Sequence, residues 1–276
     1  MKRTLNENTG QKDEGQKDER DVVQSIISKY MKLSPSEVVC DQVICDEVVD
    51  QKVLENDKQK VCKVVFKAEK ESMKALAQYF PNFLTEDEAD LLFNVIIGES
   101  HKYTQDKVNT PGGIKNAPRI TGTYGPEGVV YKYAGMTRHP IVSWPQELRS
   151  CMEKISTQLG CKLNYAFINV YRDGEYLKED YIGWHKDSEK EIICNNNGET
   201  TIASISLGDE RIFQMRVEYK KGESPTQITS VKLQHGSLCT MEKQMQRFCK
   251  HQVPKYKDAK GMRVNITFRN MSTRVK

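Results

Sequence analysis

Residues 1–20 carry almost no apolar side chains and repeat themselves: Gln11-Lys12-Asp13-Glu14-Gly15 is followed by Gln16-Lys17-Asp18-Glu19-Arg20. Such a segment buries too little apolar surface to offset its chain entropy, and a disordered tail is expected. Val22, Val23, Ile26, Ile27 and Tyr30 then recur at helical spacing. Residues 34–60 show no clear period. A strand is predicted over 60–67. Thr85-Glu86-Asp87-Glu88 is a capping box, in which Thr85 caps the helix start and Glu88 reaches back. The helix that follows is expected to bury Ala89, Leu92, Val95 and Ile96. Pro111-Gly112-Gly113 marks a turn or loop. A strand is predicted over 129–133. Pro145, Leu148, Met152, Ile155 and Leu159 predict a helix over 145–159. Strands dominate from there on, over 165–171, 202–207, 211–219, 228–233, 237–241 and 262–269. Many short strands separated by turns point to a sandwich or barrel, and the earlier helices are expected to pack on one face of it.

The hydrophobic fraction of 37% is slightly low for a wholly globular chain of 276 residues, in line with a loose N-terminal part. No apolar run approaches the ~18 residues that a membrane span needs. Met1-Lys2-Arg3-Thr4-Leu5-Asn6 lacks the apolar core of a secretory signal. Eight cysteines are scattered from Cys40 to Cys249 with no C-x-x-C pair, so reduced thiols in an intracellular protein, nuclear or cytoplasmic, are expected. The net charge of +4 is uneven. Residues 241–276 hold ten Lys or Arg against Glu242 and Asp258, a net of +8, which leaves −4 on residues 1–240. A polyanion docking near the C-terminal strands would explain this, as would solvated surface charge plus arginines that serve a small anion.

The strand pattern gives candidate chemistry. In Arg263-Val264-Asn265-Ile266-Thr267-Phe268-Arg269 the side chains alternate between faces, so Arg263, Asn265, Thr267 and Arg269 share one of them. Two guanidiniums with small polar groups between them form a bay for a carboxylate, which Arg grips bidentately. His185 and Asp187 stand two apart and share a face if extended. Two histidines and a carboxylate are the ligands of a non-haem iron(II) triad. H-x-D alone is common, and a surface strand pair is the alternative reading. Spacing does not choose between His235 and His251 as the third ligand.

The order of parts goes further. Asn169-Val170-Tyr171, His185-x-Asp187, His251 and the Arg263–Arg269 strand resemble the AlkB family of iron(II)- and 2-oxoglutarate-dependent dioxygenases over roughly residues 75–271. Pro118-Arg119, Tyr124-Gly125, Tyr131-Lys132-Tyr133, Ile202–Gly208 and His235-Gly236-Ser237-Leu238 add to the likeness, which is strongest to animal homologues that repair alkylated bases. The resemblance implies a double-stranded β-helix (jelly-roll) core with flanking helices over 75–276, behind a 21–74 extension that is partly helical and has no assigned role. It implies Fe(II) on His185, Asp187 and His251, with 2-oxoglutarate and O2 as cosubstrates. Arg263 would pair with the distal carboxylate of 2-oxoglutarate, assisted by Tyr171, while Asn169, Asn265, Thr267 and Arg269 complete the bay.

Substrate contacts implied by the resemblance are Arg119 on the nucleic-acid strand, Tyr131 and Tyr133 over a flipped nucleotide, Lys132 between them, and Ser188 and Glu189 facing the base. Sheet packing is the alternative for the tyrosines. A carboxylate at Glu189 would favour cationic lesions such as 1-methyladenine and 3-methylcytosine. The implied activity is oxidative demethylation of N-alkylated bases in DNA or RNA by a monomer. Pro111-Gly112-Gly113-Ile114 lacks the aromatic wedge of duplex-specialised relatives, which favours single strands. Glu175-Tyr176-Leu177-Lys178 reads as an insertion and predicts a longer loop. Gln24-Ser25-Ile26-Ile27-Ser28-Lys29-Tyr30 loosely resembles a sliding-clamp-binding peptide, although Met31 replaces the second aromatic, and an ordinary amphipathic helix is the alternative over 24–31. A 2-oxoglutarate oxygenase of protein or lipid and a catalytically silent nucleic-acid-binding scaffold are the rival readings.

Overall fold

The computed structural model describes residues 62–273, apart from 71–72, 111, 134–135, 177–178, 197 and 219–227. The polar tail, the helix expected from Val22 to Tyr30 and the clamp-like peptide lie outside these residues. The first half of the described chain runs β1 (Lys63–Lys70), β2 (Met73–Phe80), α1 (Glu86–Gly98), β3 (Lys107–Thr110), β4 (Gly113–Asn116), β5 (Ile120–Tyr124), β6 (Tyr131–Tyr133), β7 (Met136–Arg138) and α2 (Gln146–Leu159). The second half is almost all strand: β8 (Tyr165–Tyr171), β9 (Ile182–His185), β10 (Ile202–Gly208), β11 (Arg211–Val217), β12 (Thr229–Leu233), β13 (Ser237–Lys243), the single turn α3 (Met245–Phe248), β14 (Cys249–Val253) and β15 (Arg263–Arg269).

Two sheets face each other. The larger has the order β1-β2-β13-β10-β15-β8-β5, and the smaller β12-β11-β14-β9. Neighbours in the sheets are mostly distant in sequence, as in a jelly roll. β15 explains why the polar residues face inward. It is buried along its whole length, with Val264, Ile266 and Phe268 on one face and Arg263, Asn265, Thr267 and Arg269 on the other. Its partners continue each face: Val264 and Ile266 oppose Val170 and Ile168 of β8, while Arg263 and Asn265 oppose Tyr171 and Asn169. On its other side Asn265 and Thr267 oppose Ser206 and Ser204 of β10. The polar face lines the space between the sheets.

Thr85 and Glu88 close the capping box reciprocally, at 3.2 and 2.8 Å. α1 buries Ala89, Leu92, Phe93, Ile96 and Ile97; Val95 is only half-buried, one position off the stripe. α2 buries Leu148, Cys151 and Ile155 and ends on Gly160 in the left-handed region. The strand expected over 129–133 begins only at Tyr131, and position 75 falls inside β2, which pairs with β1 in the larger sheet. The sheet thus starts at Lys63, before the expected domain boundary. β3 and β4 pair as a hairpin that is exposed along β4, and of the turn expected at Pro111-Gly112-Gly113 position 111 lies outside the described residues.

Gly208 ends β10 with a positive φ of 77°. A Cβ there would run into the Met262 carbonyl and sit 2.8 Å from the Phe93 ring. Gly208→Ala is expected to destabilise the fold by about 3 kcal/mol, from strain and overpacking together. Urea titration would show this as a lower midpoint at unchanged slope.

Candidate metal and cosubstrate site

β9 and β14 run antiparallel with His185 directly opposite His251. A cross-strand pair brings side chains together, and the two imidazole rings lie 4.2 Å apart. The register shifts between this pair and the next, Ile182 opposite Val253, because β9 holds one residue more than β14 over that interval. Such a bulge re-aims a strand, and it turns both Ile182 and His185 into the interior. Asp187 lies beyond the end of β9 yet on the same side. The ligand atoms of His185, Asp187 and His251 all fall within 4.8 Å of one another.

Nδ1 of His185 stands 2.8 Å from the Gly183 carbonyl. A carbonyl only accepts, so Nδ1 carries the proton and Nε2 presents a lone pair, 3.7 Å from Asp187 Oδ1. Burial lowers the pKa of both histidines. For His251 burial and the neighbouring His185 bring it down to about 3. Burial pushes the Asp187 carboxyl up, but the Arg269 guanidinium outweighs it and holds the group below its ordinary value. Two neutral nitrogens and one ionised oxygen therefore converge without having to lose protons, and this donor set fits a divalent iron.

The anion bay is next to it. Arg263 is 1% exposed and donates through Nη2 to Ser206 Oγ at 2.9 Å. Its Nε and Nη1 are buried with no hydrogen-bond partner among the described residues. Tyr171 lies beneath the Arg263 guanidinium at 5.0 Å, and burial lowers the pKa of Arg263. Two unused donors on a buried cation fit a carboxylate, since an unpaired buried charge is costly. The triad and Arg263 line one cavity between the sheets.

Several expected roles change. Arg269 does not wait for a cosubstrate: its Nη2 donates to Asp187 and its Nη1 to Glu189, each at 3.2 Å. Glu189 is not a free anion turned to a base, because its other oxygen accepts from Tyr131 Oη at 2.6 Å. Arg119 is buried and donates to Asn169 Oδ1 at 2.8 Å instead of reaching out to a nucleic-acid strand. Asn265 donates to Ser204 Oγ and accepts from Thr267 Oγ1, so these two brace each other on the cavity wall. Tyr131 is buried and stacks on Tyr165 at 5.7 Å, so sheet packing describes much of its environment. Lys132 and Tyr133 continue β6 in its pairing with β7, and Ser188 is exposed beside the triad. His235 stays apart from the triad and accepts from the Gly208 N–H at 2.8 Å. Sequence reasoning missed Ser204 and Ser206, whose alternation with Ala203, Ile205 and Leu207 was the available signal. It also missed Gln246.

Jelly-roll sheets enclosing such a donor set beside an arginine bay define a class, the iron(II)- and 2-oxoglutarate-dependent oxygenases. Residues 77–269 match the model of the 2OG-Fe(II) oxygenase superfamily. DNA oxidative demethylase ALKBH2 of Homo sapiens is 32% identical over 189 residues, which cover 67% of this chain and 69% of that protein. Its Bos taurus counterpart is equally similar, with 65% of its length covered. Alpha-ketoglutarate-dependent dioxygenase alkB homolog 3 of Homo sapiens is 34% identical over 159 residues, 56% of this chain and 52% of that protein. The chain belongs to the AlkB family of this superfamily. It thus spans between about half and two thirds of these relatives. Fe(II), 2-oxoglutarate and O2 are the reagents of the family, and the His-Asp-His cluster fits the metal.

Proposed function

We propose that this protein removes alkyl groups from the nitrogens of bases in DNA or RNA, acting on single strands in preference to intact duplex. The observation that carries the reading is the common cavity holding the triad and the half-satisfied Arg263. The relatives named as DNA demethylases support the substrate class. The strand preference rests on the β3–β4 hairpin, whose exposed tip carries Ile114 in place of an aromatic wedge, at 70% exposure. Lesions that cannot pair cost less to extrude, so a protein without a wedge still reaches them in single strands. The free cysteines, together with a reduced iron, support an intracellular setting.

Iron with 2-oxoglutarate and O2 supplies the oxidation of an N-methyl group, releasing succinate, carbon dioxide and formaldehyde. The chain's part is to bind, orient and exclude water. His185, Asp187 and His251 would hold the metal. Arg263, whose Nε and Nη1 have no hydrogen-bond partner among the described residues, would take the distal carboxylate of 2-oxoglutarate. Arg119 fixes Asn169, and Asn169 with Tyr171 and Thr267 shapes the wall of the bay. Arg269 orients the Asp187 carboxylate and keeps it ionised. Glu189 holds the Tyr131 hydroxyl and so places its ring at the substrate side of the cavity.

Formaldehyde release from one 1-methyladenine sequence, offered as single-stranded DNA, duplex DNA and RNA, tests the proposal. At least one single-stranded form should be turned over faster than the duplex. Equal or faster turnover of the duplex would defeat the strand preference, and no release from any form would defeat the substrate class.

A further inference from the structure

The two halves of the triad come from elements far apart in sequence; strand pairing joins His185 to His251, and a side chain ties in Asp187, which lies beyond that pairing. α3 is a single turn between β13 and β14, three residues ahead of His251. From it Gln246 points inward and is 5% exposed. Its Oε1 accepts the backbone N–H of Asp187 at 2.9 Å. Its Nε2 faces the sulfur of Met241, a cavity-lining residue, at 3.4 Å. The same turn takes a second bond from the triad segment, since Lys186 Nζ donates to the Arg247 carbonyl at 2.7 Å. The turn is itself anchored: Gln244 exchanges bonds with the backbone of Lys74, its N–H to the Lys74 carbonyl at 2.8 Å and its Oε1 from the Lys74 N–H at 3.1 Å.

Lys243, the residue that bends β13 into this turn, has a φ of 57°. Among the described residues it is the one non-glycine with positive φ. A strained position persists only where the surroundings over-determine it. Here the bend is what turns Gln246 toward the triad.

We propose that Gln246 is a positioning residue of the metal centre: its buried amide ties the backbone of Asp187 to the turn that leads into His251, and so sets the distance between the two strands' ligands. The backbone N–H of Asp187 lies beyond the end of β9, where no strand partner fixes it, and the amide replaces that partner. Groups that orient ligands change metal affinity by ~10–100-fold when removed. The inference rests on the triad as the metal site, and the experiment separates the two.

Binding of Mn(II), a redox-stable stand-in for Fe(II), would be followed by electron paramagnetic resonance on the full chain and on Gln246→Met, Gln246→Glu and His185→Ala. Gln246→Met keeps the volume and removes the acceptor. It is expected to fold, by circular dichroism, and to bind Mn(II) ~10–100-fold more weakly. Gln246→Glu retains an acceptor oxygen and should recover most of the affinity. Should Gln246→Met not fold, Gln246→Asn, one methylene too short to reach, is judged by the same criterion. A folded Gln246→Met or Gln246→Asn chain that binds within about twofold of the parent, or a Gln246→Glu chain no better than Gln246→Met, would overturn the positioning role and leave the triad standing. If His185→Ala binds Mn(II) as well as the parent, the metal-site reading itself fails.

Discussion

Arg263→Met is expected to weaken 2-oxoglutarate binding on the order of 100- to 1000-fold while the unliganded protein melts no lower than the parent. Breaking one side of a buried charged pair costs ~3–5 kcal/mol, and each 1.4 kcal/mol is about tenfold in affinity. The other half of the prediction follows from what Arg263 lacks. With Nε and Nη1 unbonded among the described residues and the guanidinium 1% exposed, the cation is a burden on the fold. Methionine fills a similar volume at no such cost. Calorimetric titration with 2-oxoglutarate in the presence of Mn(II) gives the affinity, and a thermal melt gives the stability. A residue kept for the fold would behave in the opposite way: the melt would fall and the cosubstrate affinity would barely change.

The second large effect is at the triad. His185→Ala should reduce formaldehyde release to the level of iron in free solution. Groups that only orient a ligand are worth ~10–100-fold, so loss of a ligand itself should exceed that range. Asp187→Asn should be as severe and should also disturb Arg269, which would keep Glu189 as its sole carboxylate. His235→Ala supplies the contrast. It touches Gly208 and Asp90, not the cavity, so it should leave turnover with a saturating substrate within a few-fold of the parent. Comparable losses for His185→Ala and His235→Ala would mean that the wrong histidines had been assigned.

The sheet strands that alternate plainly, such as β8, β10 and β15, were legible in the sequence almost to the residue. The strands that carry the metal ligands were not. β9 is only Ile182-Gly183-Trp184-His185, and its bulge puts two inward residues three apart, which breaks the period of two. β14 is one residue longer, with Cys249, His251 and Val253 buried, and its inward stripe contains one ordinary aliphatic. β2 escaped notice because Ala75 and Ala77 are small residues with little strand preference; they are buried there by pairing with β13. Arg119 and Glu189 were placed at a substrate for the same reason in each case. Their partners, Asn169 and Arg269, lie 50 and 80 residues away; the pairing of β5 with β8 brings Arg119 to Asn169, and Glu189 meets Arg269 from the segment between β9 and β10.

The most direct test of the account is to count succinate and formaldehyde together, with purified protein, Fe(II), 2-oxoglutarate, O2 and a single-stranded 1-methyladenine oligomer. Equal amounts of the two products are expected, both dependent on the oligomer and both lost in His185→Ala. Succinate formed at the same rate with and without the oligomer, and no formaldehyde, would contradict it.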